Sequence, residues 1–154
     1  MQPKIFLVTG GAGFIGSNLV EELAKHQSNK VIVVDNFDDF LYPSRLRRIW
    51  AKEISHMHNN VEVRDIPYED LEADDLAEVD VIFNCAAIAG LTPSFDNPFK
   101  YISVNQDGFQ SFLATIRASD FQGKLIHLST SSVYGKYATS SENTAPAPIS
   151  PYGE

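Results

Sequence analysis

The sequence predicts an α/β fold, a doubly wound parallel sheet with helices on both faces. Three observations carry this. Short apolar runs of strand character alternate with stretches at helical spacing along the chain. A glycine-rich turn, Thr9-Gly10-Gly11-Ala12-Gly13-Phe14-Ile15-Gly16, joins the first apolar run to the first helical one. Gly10 to Gly16, Asp35, Asp65, Ala86-Ala87 and Ser129 to Ser132 all fall just past strand ends, where sheets of this class bind their ligands.

Lys4 to Val8 reads as a short buried strand, and Phe14, Ile15, Leu19, Val20, Leu23 and Ala24 follow at helical spacing. Gly10, Gly13 and Gly16 sit at the junction. Glycine there permits a sharp turn, close approach of backbone N–H groups to a pyrophosphate, and tight packing of helix on strand. The helix N-terminus then offers free donors and a partial positive charge to the anion. A second strand, Lys30 to Val34, closes on Asp35 about twenty residues after the glycines, where a carboxylate can accept hydrogen bonds from an adenosine ribose. Ile15-Gly16 stand before Ser17 where a P-loop needs Lys, which argues against nucleoside-triphosphate hydrolysis. A glycine turn that merely connects strand to helix would not require Asp35. The unit fits a dinucleotide.

Asn36 to Pro43 is a turn-rich loop, and a helix is expected from Pro43-Ser44 to about Met57 with Leu46, Ile49, Trp50 and Ile54 on one face. Arg45 to Arg48 reads as the solvated side of that helix. His56 and His58, two apart and without a third ligand, read as surface residues and not as a metal site. Val61 to Asp65 is the third strand, Pro67 to Glu78 a short helix or loop, and Val79 to Asn84 a fourth strand apolar enough to be buried on both faces. It runs into Cys85 to Gly90, whose small side chains let a flat ligand lie against the backbone. Pro98 to Ser119 has the spacing of a long helix, interrupted by the amide of Asn105, with Ile102, Phe109, Phe112, Leu113 and Ile116 as core candidates. Lys124 to Leu128 is the fifth strand. Ala138 to Pro151, rich in Ser, Thr and Pro, reads as an exposed loop.

The 154 residues amount to about one domain, with 44% hydrophobic and 21% charged residues. A net charge of −8 without an extended basic cluster argues against nucleic acid as a partner. Cys85 has no second cysteine to pair with, so a reducing, cytoplasmic setting is expected, and the residue reads as a small buried hydrophobe. No apolar run is long enough to span a bilayer, and no membrane partner is expected.

In its motifs the chain resembles an extended short-chain dehydrogenase/reductase, in particular the NAD-dependent epimerase/dehydratase family acting on nucleotide sugars. The residues that carry this are Thr9 to Gly16, Asp35-Asn36, Asp65-Ile66, Asn84 to Ala87, Val104-Asn105, Ser129 to Gly135 and Pro151-Tyr152-Gly153. The resemblance implies a Rossmann-type domain with NAD as cofactor. Gly10, Gly13, Phe14, Ile15 and Gly16 would hold its phosphates, and Asp35 and Asn36 the adenosine ribose. Asp65 and Ile66 would border the adenine, and Ala86, Ala87 and Ile88 the nicotinamide side, with Asn105 nearby. An acid at position 35 with no Arg directly after it favours NAD over NADP.

The resemblance also implies reaction chemistry by Thr130 and Tyr152. A free phenol has a pKa near 10, so Tyr152 needs a neighbouring cation to act as a base at neutral pH. In the family a Lys four residues after the Tyr supplies it, which would be position 156. Family members run to roughly twice this length, so residues 1–154 are expected to be an incomplete NAD-binding domain, able to hold NAD but inactive alone. An uncovered sheet edge makes a homo-oligomer, a dimer, the expected state. Ser131-Ser132 replace the Asp-Glu pair usual in dehydratases, which favours a 4-epimerase acting on a nucleotide sugar, and Thr92 stands where some uronate-specific members carry Arg. A dehydratase or reductase of the same family, or a non-catalytic NAD-binding sensor, is the alternative.

Overall fold

The computed structural model describes residues 2–137 and 141–154; of the C-terminal loop expected from Ala138, residues 138–140 lie outside it. Five parallel strands, β1 (Ile5–Thr9), β2 (Lys30–Asp35), β3 (Val61–Asp65), β4 (Val81–Asn84) and β5 (Lys124–His127), form one sheet in the order β3-β2-β1-β4-β5. β1 is central, with Thr9 level with Val34 on one side and Asn84 on the other. The chain leaves β1 toward β2 and β3, then crosses back to β4. That reversal opens a crevice outside the carboxyl ends of β1, β2 and β4, the place where such sheets bind ligands.

Strand periodicity divides the core in two. Leu7, Ile32, Val34 and Ile82 point to one face, joined there by Tyr68, Leu71, Leu76 and Phe112. Val8, Val31, Val33 and Val61 point to the other, covered by Val20 and Ala24 of α1 (Phe14–Ala24) and Ile54 of α2 (Arg45–Met57). Both faces of β1 and β2 are thus buried, and their sequences are accordingly continuous apolar runs without alternation. Each fully buried aliphatic or aromatic side chain contributes on the order of 1.5–3 kcal/mol.

Two expected elements take a different form. On α2 only Ile54 of the four apolar candidates is fully buried, with Trp50 packed beside it, while Leu46 and Ile49 are exposed. The long helix expected from Pro98 is three pieces: α4 (Pro98–Tyr101), a π-helical segment (Ile102–Asp107) and α5 (Gly108–Ala118), preceded by a short α3 (Leu91–Asp96). The π segment has a tertiary cause. The Tyr68 hydroxyl donates to the Val104 carbonyl at 2.7 Å, and a Cβ at Gly108 would lie 2.9 Å from that hydroxyl oxygen. Residues 67–78 form two 3-10 turns, Tyr68–Asp70 and Ala73–Leu76.

Candidate functional site

The crevice is a cavity of about 550 Å³, within the usual range for small-molecule sites. Its floor is the glycine turn. Gly10 takes φ +61°, and a Cβ there would sit 2.7 Å from the Ala86 backbone. Gly16 is equally constrained: its Cβ would meet the Gly11 Cα at 2.6 Å. The turn closes with Gly13 N–H donating to Gly10 O at 3.0 Å, and α1 begins at once. No side chain caps α1 and no acid lies in its first turn, so its leading N–H groups and positive dipole end remain open to an anion. Phe14 and Ile15, expected from spacing to continue the apolar face of α1, instead line the cavity and are largely exposed.

Asp35 is 6% exposed at the end of β2. Its Oδ2 accepts from Ala12 N–H at 3.1 Å, and its Oδ1 from Phe37 N–H at 2.9 Å. Arg47 Nη1, reaching in from α2, donates to the same Oδ1 at 3.0 Å. The Arg45-to-Arg48 stretch is therefore more than a solvated helix side: Arg48 pairs with Asp65 and lies 4.5 Å over the Phe37 ring. The spacing signal for Arg47 is weak, because the loop between β2 and α2 decides which helical face meets Asp35. Asn36 lines the cavity alongside.

The opposite wall is Cys85 to Ala89. It is fixed from two directions. Thr9 Oγ1 donates to Asn84 Oδ1, Asn84 Nδ2 lies 2.9 Å from His127 Nδ1, and Ala86 N–H donates to Thr9 Oγ1 at 3.4 Å. With its oxygen engaged by Thr9, the Asn84 amide donates, which requires an unprotonated Nδ1. Desolvation lowers the His127 pKa, in keeping with that neutral ring. From the helical side, Asn105 grips the Ile88 backbone with both ends of its amide, at 2.8 and 2.9 Å. Asn105 itself lies outside the cavity lining, as do Asp65, tied to Arg48, and Ile66, packed on the core; Tyr68 and Glu69 line that end instead.

Neither Thr130 nor Tyr152 lines the cavity. Thr130 Oγ1 accepts from Ser132 N–H at 3.1 Å. The turn carrying Tyr152 packs on that segment so closely that a Cβ at Gly153 would approach the Ser132 carbonyl oxygen to 2.6 Å. The Tyr152 ring meets Tyr101 edge-on, centroids 6.2 Å apart, and the Tyr101 hydroxyl donates to Ala89 O at 2.8 Å. Tyr101, 1% exposed, was not singled out by its sequence pattern, because its hydroxyl partner lies on a different segment.

Residues 7–154 match the family model for GDP-mannose 4,6 dehydratase. The chain belongs to this family. Within it, the chain is 40% identical over 155 residues to an uncharacterised UDP-glucose epimerase, YtcB, of Bacillus subtilis, covering 96% of this chain and 46% of that protein. A UDP-N-acetyl-alpha-D-glucosaminuronate decarboxylase of Bacillus cytotoxicus is 37% identical, over 86% of this chain and 38% of its own length. The crystal structure of UDP-glucuronic acid 4-epimerase from Bacillus cereus with UDP-glucuronic acid and NAD superposes with a TM-score of 0.86 at 33% identity, covering 97% of this chain and 48% of that one. The chain thus spans less than half the length of these relatives. The solved relative holds NAD, and the cradle at Gly10 to Gly16 with Asp35 has the open donors and the carboxylate that such a dinucleotide needs. No helix among the described residues is long and apolar enough to cross a membrane.

Proposed function

We propose that this chain is the cofactor-binding portion of a 4-epimerase acting on a nucleotide sugar, working as a homodimer. The observation that carries the reading is the link from Tyr152 through Tyr101 to Ala89, which ties a phenol to the wall beside the expected nicotinamide position. Bound NAD would supply a hydride acceptor and donor for C4 of the sugar. Tyr152 would take the proton of the 4-hydroxyl and later return it, so that the sugar leaves at its original oxidation level, and Thr130 would hold that oxygen by a hydrogen bond. Ala86 and Ala87 keep the wall flat, and the open end of α1 holds the pyrophosphate. Ser131 and Ser132 lack the acid and base that water removal needs, which supports epimerisation over dehydration. Thr92 in place of Arg supports a neutral sugar over a uronate.

The test uses the whole enzyme. Tyr152→Phe is expected to lower turnover by roughly 10²–10⁴-fold while leaving NAD affinity nearly unchanged, read by steady-state kinetics and calorimetry. Normal turnover in the Phe variant would end the assignment.

A further inference from the structure

The loop between β2 and α2 crosses the crevice. It leaves the end of β2, on one side of β1, and meets α4, which follows β4 on the other side. On the way Asp38, Phe40, Tyr42 and Pro43 line the same cavity as the glycine turn and the Ala86-Ala87 wall. Two contacts hold the loop to α4. Lys100 Nζ donates to Asp38 Oδ2 at 3.0 Å, and the Phe40 ring meets Tyr101 edge-on with centroids 6.3 Å apart. Three further ties stay on the loop's own side: Asp38 Oδ1 accepts from Phe40 N–H at 2.7 Å, the Asp38 carbonyl from Arg47 Nη2, and Asp39 Oδ1 from Ser44 N–H. The loop and the start of α2 are thus one braced unit, which can part from α4 with its own hydrogen bonds intact. The ion pair suits such parting. Its side chains are 40% and 33% exposed, so water receives both charges when the pair opens, whereas a fully buried pair would strand them.

We propose that residues 38–43 form a strap over the cofactor cavity, latched to α4 by Lys100 and Tyr101, and that opening of this latch sets the rate at which NAD enters and leaves. The inference rests on NAD being held in this cavity. A lid held by contacts between protein groups alone places the same barrier on entry and on release. Breaking the latch therefore speeds both, and alters affinity much less than either rate. Lys100 does not line the cavity, so its side chain acts through the strap and not on the cofactor. The latch also reaches the proposed base, because the Tyr101 ring that receives Phe40 is the one that meets Tyr152.

The experiment follows NADH fluorescence in the whole enzyme by stopped flow: entry on mixing with NADH, and release from the loaded enzyme on mixing with excess NAD. It compares the unaltered protein with Lys100→Arg, Lys100→Met, Lys100→Glu and Phe40→Ala, with thermal unfolding by circular dichroism to verify folding. Lys100→Met is expected to speed entry and release alike, about two- to fivefold, with the dissociation constant little changed. Lys100→Arg keeps the cation and should match the unaltered protein. Lys100→Glu sets a like charge against Asp38 and should exceed the Met variant. Phe40→Ala should speed release about three- to tenfold through loss of the aromatic contact. In about 1 M salt, where screening reaches ~3 Å, the difference between Lys100→Met and the unaltered protein should shrink. Unchanged rates in Lys100→Met would overturn the proposal. So would faster release with unaltered entry, which marks a contact to the cofactor and not a latch. Failure of the unaltered enzyme to bind NADH at all would instead remove the cavity reading on which the strap rests.

Discussion

At Gly10 two restrictions coincide: a φ of +61° and an Ala86 backbone 2.7 Å from where a side chain would begin. Alanine therefore meets both the left-handed backbone penalty of about 1 kcal/mol and a main-chain contact that nothing flexible can relieve. Gly10→Ala is expected to destabilise by roughly 2–4 kcal/mol in urea unfolding and to abolish NAD binding in the same preparation. Cys85, on the facing wall, illustrates a quieter effect. Burial pushes its thiol up to about 11, so at pH 8 the nucleophilic thiolate is scarce. Alkylation by iodoacetamide should run on the order of a hundredfold slower than for a free cysteine, and return to the ordinary rate in denaturant.

Among the elements, β1, the glycine turn, α1 and β2 with Asp35 were legible because each is defined within a few residues of itself. Glycine spacing and apolar runs are local properties, and the structure places them in the expected order. The π segment was not legible. It depends on Tyr68, 36 residues before the carbonyl its hydroxyl meets. Burial raises the Tyr68 phenol far above its ordinary value, so it remains a protonated donor throughout the working pH range. Tyr68→Phe should lower stability by about 1–2 kcal/mol in urea unfolding, since the Val104 carbonyl loses its partner. α2 failed differently. Its apolar spacing is real, but Leu46 lines the cavity rather than the core, so periodicity located a helix while misassigning one side of it. Of the candidate site, the glycine turn at the cavity floor and the wall at Ala86-Ala87 could be read from the chain. The Arg47–Asp35 pair and the Tyr101 bridge could not, because tertiary packing alone brings those groups together.

The molecule as a whole is a sheet with one well-covered half and one thin edge. β1, β2 and β4 are sealed between two cores, whereas β5 is mostly exposed, Ile126 included, and among the described residues pairs only with β4. An unpaired edge beside apolar surface favours association. The 154-residue chain is expected to sediment as larger species with rising concentration, and Ile126→Lys to reduce that tendency; concentration-independent monomer behaviour would contradict it. The central position of β1 has a further consequence, for the order of events during synthesis. Ala86 N–H meets Thr9 Oγ1 across 77 residues of sequence. At ~5–20 residues per second, roughly 4–15 s separate the emergence of the glycine turn from that of the wall it faces. Through that interval the turn has a floor and no far side, so NAD cannot assist the folding of the first three strands. Any rescue of the nascent chain by its cofactor must begin only after β4 has joined the sheet.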